Sequence, residues 1–102
     1  MFDKLLTGYQ ELLTGATLKT ITQSVVFPFV QHHVPQAKYL GTGVISFKNK
    51  NDDLFFIHTK FVDNDLVIQL VMFYDTVYEM IVDDHREEEY LQMVEELQLA
   101  VQ

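Results

Sequence analysis

The four histidines are the side chains whose chemistry is most versatile, because neutral imidazole binds metals and titrates near neutral pH. His32 and His33 are adjacent, so they diverge by about 100° on a helix and point to opposite faces of a strand. A two-histidine chelate on a helix needs a spacing of four residues instead. His58, His85 and one of the adjacent pair could meet only through the tertiary fold, with Asp84 as a nearby carboxylate. Such a meeting would make the chain a metal-binding protein or a small metal-dependent hydrolase.

His85 and Glu89 are four residues apart on a predicted C-terminal helix, where they could share one face as metal ligands or as an acid/base pair. The acidic residues around them have a simpler role, because negative charge stabilises a helix N-terminus. The aspartates at 52–53 and 63–65 fail the twelve-residue calcium loop, and turn formation explains them. Residues 41–43, Gly-Thr-Gly, match no phosphate-binding loop and predict a bend, a bulge or a close backbone approach.

Nucleophilic catalysis would require a serine or threonine beside a positioned base. Ser24, Ser46 and Thr59 stand in no nucleophile-elbow motif, and the absence of cysteine excludes thiol catalysis, thiolate zinc sites and disulfides. The sequence therefore favours a non-enzymatic protein without a cofactor, and an enzyme built from separated residues that converge in the fold stays open as the alternative.

The charge of the chain restricts its partners. Fifteen acidic and seven basic residues give a formal charge of −8, which repels nucleic acids and anionic membranes and attracts basic proteins. The longest stretch without Asp, Glu, Lys or Arg, residues 20–37, contains two prolines and two histidines, so no membrane crossing is expected. The first residues lack the pattern of a signal peptide, and a cytoplasmic location is expected. With 102 residues, 48% of them hydrophobic, the chain should form a single domain over residues 1–102.

Hydrophobic periodicity predicts an N-terminal helical region. Apolar residues recur at helical spacing over 3–14 and again over 17–33, where Pro28 should kink or end the helix near Phe27. An extended conformation over 25–30 stays open, because β-branched and aromatic residues dominate that stretch.

A twofold alternation then predicts an α+β fold with a three- or four-stranded antiparallel meander. Strands are expected over 39–48, 54–62 and 66–74, the third of them in mid-sheet, whereas 77–82 is predicted as a strand with a helix as the alternative. Asp84 and Glu87 have the spacing of a capping box for a final amphipathic helix. The apolar stripe of that helix should contain Tyr90, Leu91, Val94, Leu97 and Val101.

The strands carry more apolar side chains than one core face requires. Phe55, Ile57, Thr59 and Phe61 are the better core candidates of the second strand. The surplus on the opposite face consists of Leu54, Phe56, Val67, Val71 and Phe73. Unless the two helical regions cover both faces, a protein partner, possibly basic, or a second subunit must bury that surface.

These features favour a homodimer and a non-enzymatic protein-interaction module, such as an adaptor, an inhibitor or a chaperone-like binding subunit. A small-ligand binder with an aromatic pocket between sheet and helices is a further alternative.

Overall fold

A computed structural model describes residues 2–12, 15 and 17–102 of the chain. Its elements, in chain order, are α1 (Phe2–Leu12), α2 (Leu18–Ile21), a π-helical segment (Thr22–Val26), α3 (Phe27–His33), β1 (Lys38–Gly41), β2 (Val44–Lys48), β3 (Leu54–Val62), β4 (Asp65–Met72), β5 (Asp75–Val82) and α4 (Glu87–Val101). The strands form one antiparallel sheet in the order β1-β2-β3-β4-β5. The predicted α+β fold with a meander sheet is confirmed, with five strands rather than three or four.

The extra strand arises from residues 39–48, for which a single strand is wrong. Gly41, Thr42 and Gly43 have φ values of 91°, 50° and 80°, so the chain turns tightly there and β1 pairs with β2. A Cβ atom on Gly43 would lie 2.8 Å from the Thr59 carbonyl oxygen. The two glycines therefore serve a sharp turn and the close backbone approach that their spacing predicts.

Residues 18–33 are helical, and the extended alternative over 25–30 is wrong. The Thr17 side chain caps the helix by accepting a hydrogen bond from the Thr20 backbone N–H. The π-helical segment precedes Pro28, and the Phe27 N–H donates to the Thr22 carbonyl, five residues back. Pro28 follows this segment within one continuous run of helix over 18–33, where it lacks the backbone N–H that a helix interior uses. The wider π-helical turn of Thr22–Val26 thus accommodates Pro28 without ending the helix.

The predicted helix over 3–14 is observed as α1, which ends at Leu12; residues 13 and 14 lie outside the described residues. No helix among the described ranges has both the length and the apolar character needed to cross a membrane.

The C-terminal helix begins later than the capping-box spacing predicts. α4 starts at Glu87, and the Asp83 carboxylate accepts a hydrogen bond from the His85 N–H in the preceding turn. The residues that α4 buries also differ from the predicted apolar stripe. Tyr90, Met93 and Leu97 are buried, whereas Leu91 is 57% exposed, so Leu91 was placed on the wrong side of the helix.

All four helices contribute side chains to a core on one face of the sheet. The fully buried strand residues of this core face are Ile45, Ile57, Leu66, Ile68, Leu70 and Met80. Phe55 and Thr59 are buried with them as predicted, but Phe61 near the end of β3 is partly exposed, contrary to its assignment to the core. β4 lies between β3 and β5, which agrees with its expected interior position.

The displaced stripe of α4 gives a stability test. Leu97→Ala should lower the free energy of unfolding by about 2–5 kcal/mol, because it removes a fully buried side chain from the core. Leu91→Ala on the exposed side of the same helix should change it by less than about 0.5 kcal/mol. Urea unfolding followed by circular dichroism measures both values. Equal losses for the two variants would show that α4 packs with a different face against the sheet.

Candidate functional site

The sheet presents a second face, opposite the helical core, which we term the open face. Side chains alternate along each strand, and the register, with one shift between β4 and β5 at Leu70 and Val71, fixes its rows. The rows run Phe56–Val71–Thr76, then His58–Gln69–Glu79, then Lys60–Val67–Ile81. The buried residues Val67 and Val71 of this face do not belong to the helical core cluster.

A groove of about 680 Å³ lies on the open face and is open to solvent. Within the described chain, strands β2 to β5 and the β4–β5 turn supply all of its lining. Its apolar side chains are Val44, Leu54, Phe56, Val71, Phe73 and Tyr74. Its polar side chains are His58, Gln69 and Thr76. No helix of the described chain contributes to the groove.

Four of the five apolar residues that the sequence singles out as surplus meet in this groove. Leu54, Phe56, Val71 and Phe73 line it, whereas Val67 lies one row beyond. Leu54 is 38% and Phe73 62% exposed, but Val67 and Val71 are already buried by their neighbours. Within the groove, the exposed apolar surface is therefore largest at the end nearest the β4–β5 turn, while Leu40 and Val62 are exposed elsewhere on the sheet.

Phe73 and Tyr74 form that turn, although the sequence predicts them as the end of a strand. Met72 pairs with Asp75, so the hairpin loop has two residues, with φ values of 52° and 71°. Positive φ at both positions defines a type I′ turn, which favours asparagine, aspartate and glycine. The left-handed conformation costs other residues on the order of 1–2 kcal/mol each.

The β3–β4 hairpin shows the ordinary solution to the same geometry. Asp63 and Asn64 occupy its two-residue loop with φ values of 51° and 72°, and both residue types tolerate the left-handed region. At Phe73 and Tyr74 the same backbone carries two aromatic rings instead, and the Tyr74 side chain is fully exposed. Strain at bulky, solvent-exposed residues is typical of functional positions.

Sequence reasoning missed Tyr74, Val44, Gln69 and Thr76 as groove residues. For Tyr74, alternation gives no signal of the turn, because β4 is buried on both faces and its pairing with β5 shifts register between Leu70 and Val71. High strand propensity of the two aromatic residues also concealed the turn.

The proposed metal ligands do not converge. His58 lines the open-face groove, His85 lies in a shallow groove of residues 84–89, and His32 lines a groove of about 470 Å³ between α1 and α3. Within the described ranges, only Asp83, Asp84 and His85 bring three potential ligand atoms within 4.8 Å of one another. The Asp84 and His85 side chains are exposed, and His85 Nε2 lies 3.3 Å from Asp84 Oδ1.

Glu89 has a structural role at the edge of the sheet. Its Oε2 accepts a hydrogen bond from the Ile81 N–H of edge strand β5 at 3.1 Å, and its Oε1 accepts one from Arg86 at 3.4 Å. The Tyr78 hydroxyl donates to the Glu89 carbonyl at 3.3 Å. A carboxylate on an outward-facing N–H blocks that position to strand pairing. Glu89 does not belong to the cluster of Asp83, Asp84 and His85.

His33 is the histidine whose protonation the fold opposes. Its Nε2 is buried without a hydrogen-bond partner among the described residues, and its ring packs edge-on against Phe29 with centroids 5.4 Å apart. Burial first, and the neighbouring His32 charge second, lower the pKa of His33 below its ordinary value.

No protein-family model, no curated protein and no solved structure matches this chain. Its function must be argued from the geometry of the site.

The strained turn generates a stability prediction. Phe73→Asn combined with Tyr74→Gly should raise the free energy of unfolding by about 1–3 kcal/mol, because the new pair suits a type I′ turn. Urea unfolding measures the change. Asn64→Gly in the β3–β4 turn is the matched control and should alter stability by less than about 1 kcal/mol. A destabilised double variant would show that the aromatic rings gain more from packing than the backbone loses.

The lowered pKa of His33 generates a pH prediction. The unfolded chain binds a proton more readily than the folded chain, so stability should fall as the pH drops below about 6.5. Above about pH 6.5, His33 should make no contribution to the pH dependence of stability. His33→Leu should remove most of this loss of stability between pH 7.5 and 5.5, whereas His32→Leu should reduce it less, because burial of the His33 ring is the larger cause of the lowered pKa. Chemical unfolding across this range checks the prediction, and identical pH profiles for the two variants would contradict it.

Proposed function

We propose that the chain is a non-enzymatic protein-interaction module, such as an adaptor, an inhibitor or a chaperone-like binding subunit, and that it binds its partner through the open face. The observation that carries this proposal is the exposed apolar groove that ends in the strained Phe73–Tyr74 turn. Solvent-exposed apolar clusters of this kind are typical of interaction sites. Strain retained at an exposed aromatic pair supports selection for binding over stability.

The size of the open face supports a protein partner. Strands β3, β4 and β5, with eight or nine residues each, and the five-residue β2 beside them lie about 4.8 Å apart and give a face of roughly 450 Å². Stable complexes bury about 800 Å² on each partner, and transient ones bury less. The protruding turn adds contact area beyond the flat face. These dimensions suit a transient or regulated complex.

The polar lining of the groove supports binding over catalysis. Among the described residues, no hydrogen bond joins the His58 imidazole to a hydroxyl or a carboxylate, and a nucleophile needs such a base beside it. Gln69 donates to Glu79 at 2.6 Å and is thereby held in place. These side chains are suited to orienting a partner.

In a homodimer formed through the open face, the partner would be a second copy of the chain. Face-to-face packing of two sheets about 10 Å apart would bury both grooves. The formal charge of −8 on each copy opposes that association.

Affinity capture with paired variants tests whether the partner binds through the open face. Leu54→Glu and Phe56→Glu place a carboxylate in the groove and should reduce the amount of captured partner at least fivefold, because anchors at the centre of an interface contribute about 1–3 kcal/mol. Leu99→Glu on the exposed side of α4 is the matched control and should capture as much as the unmodified chain. Quantitative mass spectrometry of the captured proteins, with unfolding curves for each variant, gives the measurement. A partner set unchanged by both groove variants would exclude the open face.

Light scattering tests the homodimer separately. A dimer would show twice the monomer mass of 11.9 kDa and should return to the monomer mass in Leu54→Glu. A monomer at high concentration leaves a different protein as the partner.

A further inference from the structure

The open face carries more positive than negative charge, although the chain as a whole is acidic. Three of the six lysines, Lys38, Lys48 and Lys60, belong to its rows. The two ion pairs among the described residues both lie within 84–89, so these three lysines are unpaired. An occupant of the open face therefore meets free ammonium groups.

Carboxylates are scarce on the same face. Glu79 lies in the row of His58, and its Oε2 already accepts a hydrogen bond at 2.6 Å. Asp65 stands at the far end of the sheet, two rows beyond His58. Asp75 pairs with Met72, which packs against the helical core, so its position is on the core side. The other acidic residues belong to helices and turns.

Two of the lysines stand together beside the groove. Lys38 pairs with Ser46, and Lys48 follows two residues later on the same face of β2. Diagonal neighbours of this kind lie about 7–8 Å apart, so both ammonium groups can reach one anion held over Ser46. The register pairs Ser46 with Phe56 and Lys48 with Leu54, and both of these apolar residues line the groove. Positive charge therefore lies directly beside the apolar lining.

The charges at contact distance differ in sign from the net charge of −8. At physiological ionic strength, salt screens exposed charges that lie farther apart than about 8 Å. Much of the acidity belongs to α4, which lies with the other helices behind the core face of the sheet. The lysines beside the groove therefore decide which charge an occupant carries.

We infer that the groove binds a partner segment in which an acidic side chain stands next to an apolar side chain. The carboxylate lies between Lys38 and Lys48, and the apolar side chain lies over Leu54 and Phe56. A carboxylate there accepts charge-assisted hydrogen bonds from both ammonium groups and a hydrogen bond from the Ser46 hydroxyl. The inference rests on the proposed function and specifies its partner.

Other anionic occupants fit this arrangement less well. A nucleic acid would extend its phosphates past the two lysines to the acidic remainder of the chain, which repels them. A second copy brings a charge of −8 spread over its whole surface. A short acidic and apolar segment of a different protein satisfies both the lysines and the groove.

Three capped peptides test the inference, with glutamate, glutamine or arginine between two leucines. Amide chemical shifts of the isotope-labelled chain at physiological ionic strength report the site and the affinity together. The glutamate peptide should shift groove residues such as Phe56, Val71 and Thr76. It should bind roughly three- to tenfold more tightly than the glutamine peptide, as expected for two exposed ion pairs. The arginine peptide should bind no more tightly than the glutamine peptide.

Two variants separate local charge from net charge. Lys38→Gln with Lys48→Gln should abolish the preference for the glutamate peptide and leave the binding of the glutamine peptide unchanged. Lys4→Gln with Lys19→Gln removes the same two charges from exposed positions of α1 and α2 and is the matched control. This control should keep the preference of the unmodified chain.

Three results would overturn the acidic inference while leaving the open face as a binding surface. The first is equal binding of the glutamate and glutamine peptides in the groove, and the second is tighter binding of the arginine peptide. The third is an equal loss of preference in the two lysine variants, because net charge alone would then set the affinity.

The remaining outcomes also discriminate. Groove shifts that grow with protein concentration in the absence of peptide would overturn the inference and assign the groove to a second copy. The absence of groove shifts with every peptide, alongside reduced capture by the Leu54→Glu and Phe56→Glu variants, would overturn the inference alone. The same absence with unchanged capture by both variants would overturn the proposed function itself.

Discussion

One-sided packing of the helices on the sheet determines the rest of this structure. Every helix sends its buried side chains to the core face, where residues such as Ile45, Ile68 and Met80 are fully enclosed. Because side chains alternate along a strand, half of every strand must point away from that core. The described chain has no further helix to cover them. The open face follows from the order of the elements and requires no special feature of its own.

The open face is not uniformly apolar, so only part of it is a candidate binding surface. Val67 and Val71 are shielded by their strand neighbours, and the row of His58, Gln69 and Glu79 crosses the middle of the face. The two most exposed apolar side chains of the sheet, Phe73 and Tyr74, form the β4–β5 turn, where the backbone conformation is also unfavourable for their residue types. Local violations of conformational preference in an otherwise consistent fold are expected at functional positions.

The sequence predicted best where a single physical preference acted alone. The alternation over 54–62 assigned Phe55 and Ile57 to the core and Leu54 and Phe56 to the opposite face, because burial of one side of a sheet imposes that period. The sequence could therefore assign residues to the two faces of the sheet. It could not predict which of them line the groove, because that depends on the register between strands.

The sequence failed where two preferences competed. Residues 41–43 continue the alternation on both sides, so the turn between β1 and β2 was hidden within an apparent strand. At residues 73–74 aromatic propensity for strands opposed the turn geometry, and tertiary pairing prevailed. On α4, Met93 rather than Leu91 faces the core, because the helix begins at Glu87 and the sheet decides which stripe is buried.

Thiol reactivity tests the central claim, that one face of the sheet is buried and the other is open. The chain contains no cysteine, so a single introduced thiol reports on its own position. Leu54→Cys and His58→Cys on the open face should react with a thiol reagent at close to the rate of an exposed model thiol under native conditions. Ile57→Cys on the core face should react only as fast as the protein unfolds. Protection of all three positions would contradict the account, because it would mean that part of this chain, or a second copy, covers the face described as open.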